Sequence, residues 1–399
     1  RPPPPPPLRH VILLIADGAG YNQAEAAALW HGAPAPYEGA GWSHCGVSTY
    51  AWIEADDGPP YGDYGFVGLR GYDPALAWAS WTYLQNYATD SAAAATAMAT
   101  GHKTYNAAIG MGVGDGTPDG RVVLPNLTER AEAAGWATGV VTSVPLSHAT
   151  PAAFAAHEVF RSDYANIALD LTASGLEVVM GAGHPDYDHD GVWAPGNPAN
   201  AADWAYVGGY ANWQALVAGT AGGGGGAGGG AGTSGAAPWT LIDDLAAFQA
   251  LADGVAVPAR VFGVAPVAET LQQRRAGAPP ANGTEPPYAV PPLATVPSLE
   301  LMTRGALNVL SRDPDGFFLM VEGGAVDWAA HAQQLGRLIE EMDGFRAAVA
   351  AVAAWVESHS SWDETLVIVT SDHETGYLWG PGVVADRPGT WFRPLVDNG

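Results

Sequence analysis

The stretch His10–Trp30, HVILLIADGAGYNQAEAAALW, decides the fold class. An unbroken apolar run of strand length, His10–Ala16, ends at Asp17-Gly18, and the alanine-rich segment Tyr21–Trp30 that follows reads as a helix. A strand that is apolar at every position is buried on both faces, the situation of a parallel sheet between two helical layers. The same unit recurs along the chain. Thr138–Val141 runs into Thr142 and Ser143, Glu177–Met180 into Gly181, and Phe317–Val321 into Glu322-Gly323-Gly324. Thr365–Thr370 runs into Ser371-Asp372-His373, and the alanine-rich stretch after Gly324 predicts one long helix through about Glu357. This alternation predicts an α/β protein, a three-layer sandwich with a central, mostly parallel sheet flanked by helices.

The 399 residues suffice for a large core. They are read as a single domain, 1–399, carrying an irregular, aromatic-rich insertion over about 186–292 that includes the glycine-rich loop Gly219–Gly235. Acidic residues number 41 against 16 basic ones, giving a net charge of −25, and Lys103 is the only lysine. Such a surface repels nucleic acid and anionic membranes, so neither is expected as a partner. An anionic substrate would need cations placed locally to reverse that field. Cys45 is the sole cysteine, which rules out an intrachain disulfide and argues against thiol chemistry. No apolar run approaches the roughly eighteen residues of a membrane span, and the start, RPPPPPPLRH, has no apolar core of a signal peptide.

Chemistry is expected where the strands end, because ligands of open α/β sheets bind beyond the carboxyl ends of the strands. Asp17, Glu322 and Asp372-His373 all follow strand-like runs, and Thr150 lies just beyond another. In Ala88–Thr104, ATDSAAAATAMATGHKT, Thr89 or Asp90 can cap a helix beginning at Ser91 and ending near Gly101. That puts the Ser91 hydroxyl at the positive end of the helix, where backbone N–H groups attract anions. Asp327 and His331 in GGAVDWAAH are four apart, hence on one helical face and able to grip one cation. Each signal alone is weak, since a serine near a helix start is usually only part of a cap and an Asp/His pair usually a solvated face. Together they assemble hard oxygen and imidazole ligands at one sheet edge. Carboxylate with imidazole suits zinc, and carboxylates with a hydroxyl suit magnesium.

In order along the chain, DGAG, TDSAAAATAMATGHKT, HATPAAF, VEGGAVDWAAH and TSDHETG resemble the alkaline phosphatase family, spanning Asp17 to Gly376. The resemblance implies hydrolysis of small phosphate monoesters to inorganic phosphate, with Ser91 as a transiently phosphorylated nucleophile. It implies two zinc ions, one held by Asp17, Asp372 and His373 and the other by Asp327 and His331, and one magnesium ion held by Asp17, Thr150 and Glu322. Arg161, eleven residues after Thr150, would bind the substrate phosphate. His148 and Trp328 match the branch with a histidine and an aromatic ring near the magnesium site, where another branch has an acid and a lysine; loss of the lysine removes a positive charge near the phosphate. A homodimer and a periplasmic or extracellular location are further expectations of the resemblance.

One departure concerns the second zinc. The family places another zinc-binding histidine beyond DHETG, whereas His373 is the last histidine here, and the ending PLVDNG reads as mid-domain, which predicts an incomplete C-terminus. Two other readings remain open on these residues: a phosphodiesterase or related metal hydrolase on the same core, and a non-catalytic phosphate- or metal-binding protein lacking one zinc ligand.

Overall fold

The computed structural model describes residues 7–52, 88–114, 120–222, 237–277 and 285–376, together with 73, 75, 80 and 378. Its centre is a seven-stranded sheet of β1 (His10–Ala16), β4 (Ala137–Pro145), β5 (Val178–Ala182), β6 (Thr240–Ile242), β7 (Val261–Val264), β8 (Phe317–Gly323) and β9 (Thr365–Thr370). The strands run in the order β6-β7-β5-β4-β8-β1-β9, and every pairing is parallel. The short strands β2 (Met111–Gly112) and β3 (Val122–Val123) form a separate antiparallel pair.

Helices cover both faces, as the apolar strands require. One face packs against α1 (Tyr21–His31), α7 (Leu245–Ala252), α8 (Leu299–Leu310), α9 (Ala325–His331) and α10 (Leu335–His359). The other packs against α2 (Ser91–Thr100), α3 (Leu127–Ala133), α4 (Ala149–Ala153), α5 (Tyr164–Ala173) and α6 (Tyr210–Val217). Burial is nearly complete in the central strands; Ile12, Leu14, Val141, Leu319 and Val321 are fully buried.

Two readings of the sequence need correction. The span 186–292 supplies β6 and β7 to the central sheet, so this part of it belongs to the core and is not an insertion upon it. These strands are only three and four residues long and sit toward the sheet edge. They carry too few apolar residues to show a period. Most of the glycine-rich run within that span lies outside the described residues. The helix expected to run unbroken from Gly324 to Glu357 is two helices. Gln333 takes a left-handed conformation (φ 54°), its N–H donates to Ala330 O at 3.0 Å, and Gln334 N–H donates to Ala329 O at 2.9 Å. These are the paired bonds of a Schellman stop, made here by glutamine, so no glycine marked it in the sequence.

Strand register and the two-residue period decide what reaches the functional edge. Ile15 pairs with Glu322 and with Thr370, and Thr142 pairs with Glu322, so these strand ends finish level. On β8, Phe318 and Met320 face the α2/α4 layer, and Glu322, two residues further, faces it too. Leu13 and Ile15 do the same on β1, which directs Asp17 to that side.

Candidate active site

Ser91 is the first residue of α2, and its helix is capped by its neighbour: the Asp90 carboxylate accepts from Ala93 N–H at 2.9 Å. Gly101 ends the helix in the left-handed conformation (φ 78°), where glycine has no Cβ to clash. Capping therefore falls to Asp90, leaving the Ser91 hydroxyl free for another task. Its oxygen lies 3.1 Å from His373 Nε2 and 3.4 Å from Asp17 Oδ1. His373 is in turn held through Nδ1, 3.2 Å from the Thr375 hydroxyl, so that Nε2 faces the serine.

Around this oxygen the structure brings together four buried carboxylates. Asp17 is 1% exposed, Asp372 2%, Glu322 0% and Asp327 8%. Asp17 Oδ1 is 3.6 Å from His373 Nε2, and Asp372 Oδ2 is 3.4 Å from the same nitrogen. The other Asp372 oxygen accepts from the backbone N–H groups of Gly18 (3.0 Å) and His373 (2.9 Å). Gly18 adopts φ 68°, and a Cβ there would come within 2.7 Å of Asp327 Oδ1. Only glycine lets α9 approach the end of β1 so closely. One ligand atom each from Asp17, Asp327 and His373 lie within 4.8 Å of one another.

Glu322 accepts from the Thr142 hydroxyl. The Thr150 hydroxyl, like that of Thr142, favours the ionised form of Glu322, although no hydrogen bond of good geometry joins the two. Asp327 and His331 share a face of α9 as their spacing predicts, with His331 Nε2 3.5 Å from Asp327 Oδ1. The His331 side chain is 72% exposed, at the rim of the site.

Burial, then the neighbouring charges of Asp372, Asp327 and Glu322, hold the Asp17 carboxyl well above the usual carboxylate range. Burial drives Glu322 the same way. Four carboxylates in so dry a place cannot all be ionised without positive charge among them. The unmet hydrogen-bonding capacity points the same way: Thr150 Oγ1, Glu322 Oε1, Asp327 Oδ1 and Asp372 Oδ2 are buried oxygens without a hydrogen-bond partner among the described residues. Oxygen lone pairs without donors, flanked by imidazole, fit divalent cations.

Arg161 lies beside this group, and its Nη1 pairs with Asp90 Oδ2 at 3.0 Å. The same oxygen accepts from Ala107 N–H at 3.0 Å. Asp90 thus caps the serine helix and fixes the arginine. The cap was readable beside Ser91, whereas the contact to Arg161, 71 residues away, was not. Replacing Asp90 by Asn keeps an N-cap acceptor but removes the charge that orients Arg161. With Arg161 as the phosphate-binding residue that the resemblance implies, the expected result is an inhibition constant for phosphate about three- to tenfold higher with the melting temperature nearly unchanged, measured by competitive inhibition and calorimetry. Thr142 and Thr375 are two further contributors with no local signal, since an isolated threonine in a strand or loop reads as ordinary structure.

His148 and Trp328 are also brought together, ring centroids 5.4 Å apart, with Tyr164 stacked on His148 at 5.9 Å. Burial, with Arg161 nearby, lowers the His148 pKa to about 3, so this ring is neutral.

Residues 74–185 and 284–389 match the family model for alkaline phosphatase. The chain belongs to the alkaline phosphatase family. It is 30% identical over 387 residues to the alkaline phosphatase of Escherichia coli K12, covering 92% of this chain and 70% of that protein. It is 30% identical over 314 residues to alkaline phosphatase 3 of Bacillus subtilis 168, covering 77% of this chain and 53% of that protein. The chain therefore spans about half the length of the Bacillus relative. The structure of alkaline phosphatase from the Antarctic bacterium TAB5 is similar with a TM-score of 0.57 at 25% identity, covering 93% of this chain and 80% of that one. A histidine-to-aspartate variant of the TAB5 enzyme has Mg bound in its M3 site. Among the described residues no helix of this family member is long and apolar enough to cross a membrane.

Proposed function

We propose that the protein hydrolyses phosphate monoesters through a covalent phosphoserine at Ser91. The observation that carries this reading is a helix-terminal hydroxyl 3.1 Å from His373 and 3.4 Å from Asp17, inside a buried group of carboxylates that requires cations. In the first step the Ser91 oxygen attacks phosphorus, the bond from phosphorus to the ester oxygen breaks, and the alcohol departs on the opposite side. In the second step water attacks the phosphoserine, releasing inorganic phosphate and restoring the hydroxyl.

Asp17, Asp372 and His373 would hold one zinc ion, Asp327 and His331 a second, and Asp17, Thr150 and Glu322 a magnesium ion. Such ions would supply electrostatic stabilisation of the serine alkoxide and of the departing oxygen. The remaining work belongs to the chain. Arg161, pre-set by Asp90, offers its planar fork to two oxygens of the phosphoryl group. Thr375 fixes the His373 ring, and the N-terminus of α2 favours the negative charge carried by phosphorylated Ser91. His148 and Trp328 supply a neutral wall next to the magnesium ligands. Magnesium in a TAB5 variant supports the expectation that this family's site accepts that ion. Export and dimerisation are carried over on family membership alone.

Acid quenching during turnover of a phosphoryl-labelled aryl phosphate tests the proposal. About one phosphate per chain, recovered on the peptide containing Ser91, is the expected result. Steady turnover without any trapped phosphate would point to direct attack by water, and binding without turnover to a phosphate-binding protein.

A further inference from the structure

Six side chains from distant parts of the sequence close into a ring next to the proposed phosphate site. His148 stacks on Tyr164, Tyr164 meets Tyr206 edge-on at 5.0 Å, and the Tyr206 hydroxyl donates to Glu269 Oε1 at 3.3 Å. Glu269 Oε2 pairs with Arg274 Nη1 at 2.8 Å, and the Arg274 guanidinium lies 4.9 Å from the centre of the Trp328 ring. Trp328 returns to His148, closing the circuit. Three members, Tyr206, Glu269 and Arg274, come from the span 186–292, for which the proposed reaction has no role.

Arg274 is the cation of this ring and is open to solvent, with 47% of its side chain exposed. Glu269 engages one of its nitrogens, and among the described residues the others meet no acceptor. A cation over the face of an indole is attracted by the ring while keeping its edge N–H groups for another partner. Trp328 directly follows Asp327 on α9, and His331 is one turn further on. An in-line displacement from Ser91 sends the alcohol away from the serine, toward the residues that face the leaving oxygen. Trp328 is the immediate neighbour of Asp327, a proposed ligand of the ion at the leaving oxygen, and Arg274 lies over the Trp328 ring, which brings a cation to that side of the site. The rest of the surface, at a net charge of −25, repels an anionic alcohol. Arg274, although paired with Glu269 on one side, keeps the other edge of its guanidinium for an anion and so offers charge-assisted hydrogen bonds against that background.

We propose that Arg274 is a specificity-determining residue that favours phosphate monoesters whose alcohol portion carries a second anionic group, a carboxylate or a further phosphate. The proposal rests on the phosphomonoesterase reading of the site. Phenyl phosphate and 4-carboxyphenyl phosphate form the test pair, with metal-loaded wild type and Arg274→Gln compared on each. The variant is expected to raise KM for the carboxylated ester about five- to tenfold, with kcat little changed and KM for phenyl phosphate within about twofold. Added salt should weaken the wild type's preference for the carboxylated ester, and Arg274→Lys should recover much of it. Equal losses on both esters would mean that Arg274 only props Trp328, and would overturn the inference while leaving the phosphatase reading standing. Failure of the wild type to hydrolyse either ester would overturn that reading, and this inference with it.

Discussion

Ser91→Ala is expected to lower kcat/KM for an aryl phosphate by roughly 10⁴-fold or more while leaving the fold intact. The size follows from what the hydroxyl does: without it no phosphoserine forms, and hydrolysis falls back on direct attack by water in a pocket that still binds phosphate. Stability should hold for a separate reason. The cap of α2 belongs to Asp90 rather than Ser91, and alanine is a better helix former than serine at the next position. The hydroxyl's contacts to His373 and Asp17 are with groups assigned to metal binding, so their loss leaves no new orphan once cations are bound. The decisive measurement is paired: steady-state rates alongside the acid-quench label. A loss below about tenfold, or label still trapped on the chain, would remove Ser91 from the mechanism.

Stripping divalent cations is expected to lower the melting temperature on the order of 5–10 °C at pH 8, and clearly less at pH 5.5. The sign follows from the carboxyls of Asp17 and Glu322, which burial pushes upward in the folded protein. A carboxyl raised on folding binds more protons in the native than in the unfolded chain. Its favourable contribution is complete below the unfolded value, about 4, and is lost as pH climbs through the folded value. In the stripped protein, alkaline pH therefore forces charge into a dry cluster that already contains Asp372 and Asp327. Bound cations remove the penalty and add their own binding energy, which also grows with pH as the ligands lose protons. Calorimetry with and without chelator at the two pH values checks this, with zinc and magnesium added back as the control. Identical melting curves would mean that the cluster needs no cation.

Much of the architecture was legible because a parallel sheet buries both faces of its strands. HVILLIA and FFLMV are apolar almost throughout, the helix at Tyr21 begins where its composition indicates, and the helix at Ser91 begins where its Asp90 cap does. β6 and β7 were missed because strands this short leave no period to read, and the break at Gln333 because a left-handed glutamine has no marker in composition.

For the site, the sequence by itself determined which residue types stand at which strand ends: Asp17, Glu322, Asp372, His373, and the helix-borne Ser91, Asp327 and His331. Those positions follow from local periodicity, which acts over a few residues. Only the tertiary structure decided that Asp90 fixes Arg161, that Thr142 and Thr375 orient Glu322 and His373, and that Arg274 reaches the Trp328 ring. These contacts join residues 71, 180, 2 and 54 positions apart. Even the nearest of them depends on a loop conformation set by the surrounding fold. Strand register and helix packing place such side chains, and neither leaves a trace in the spacing of one chain's residues.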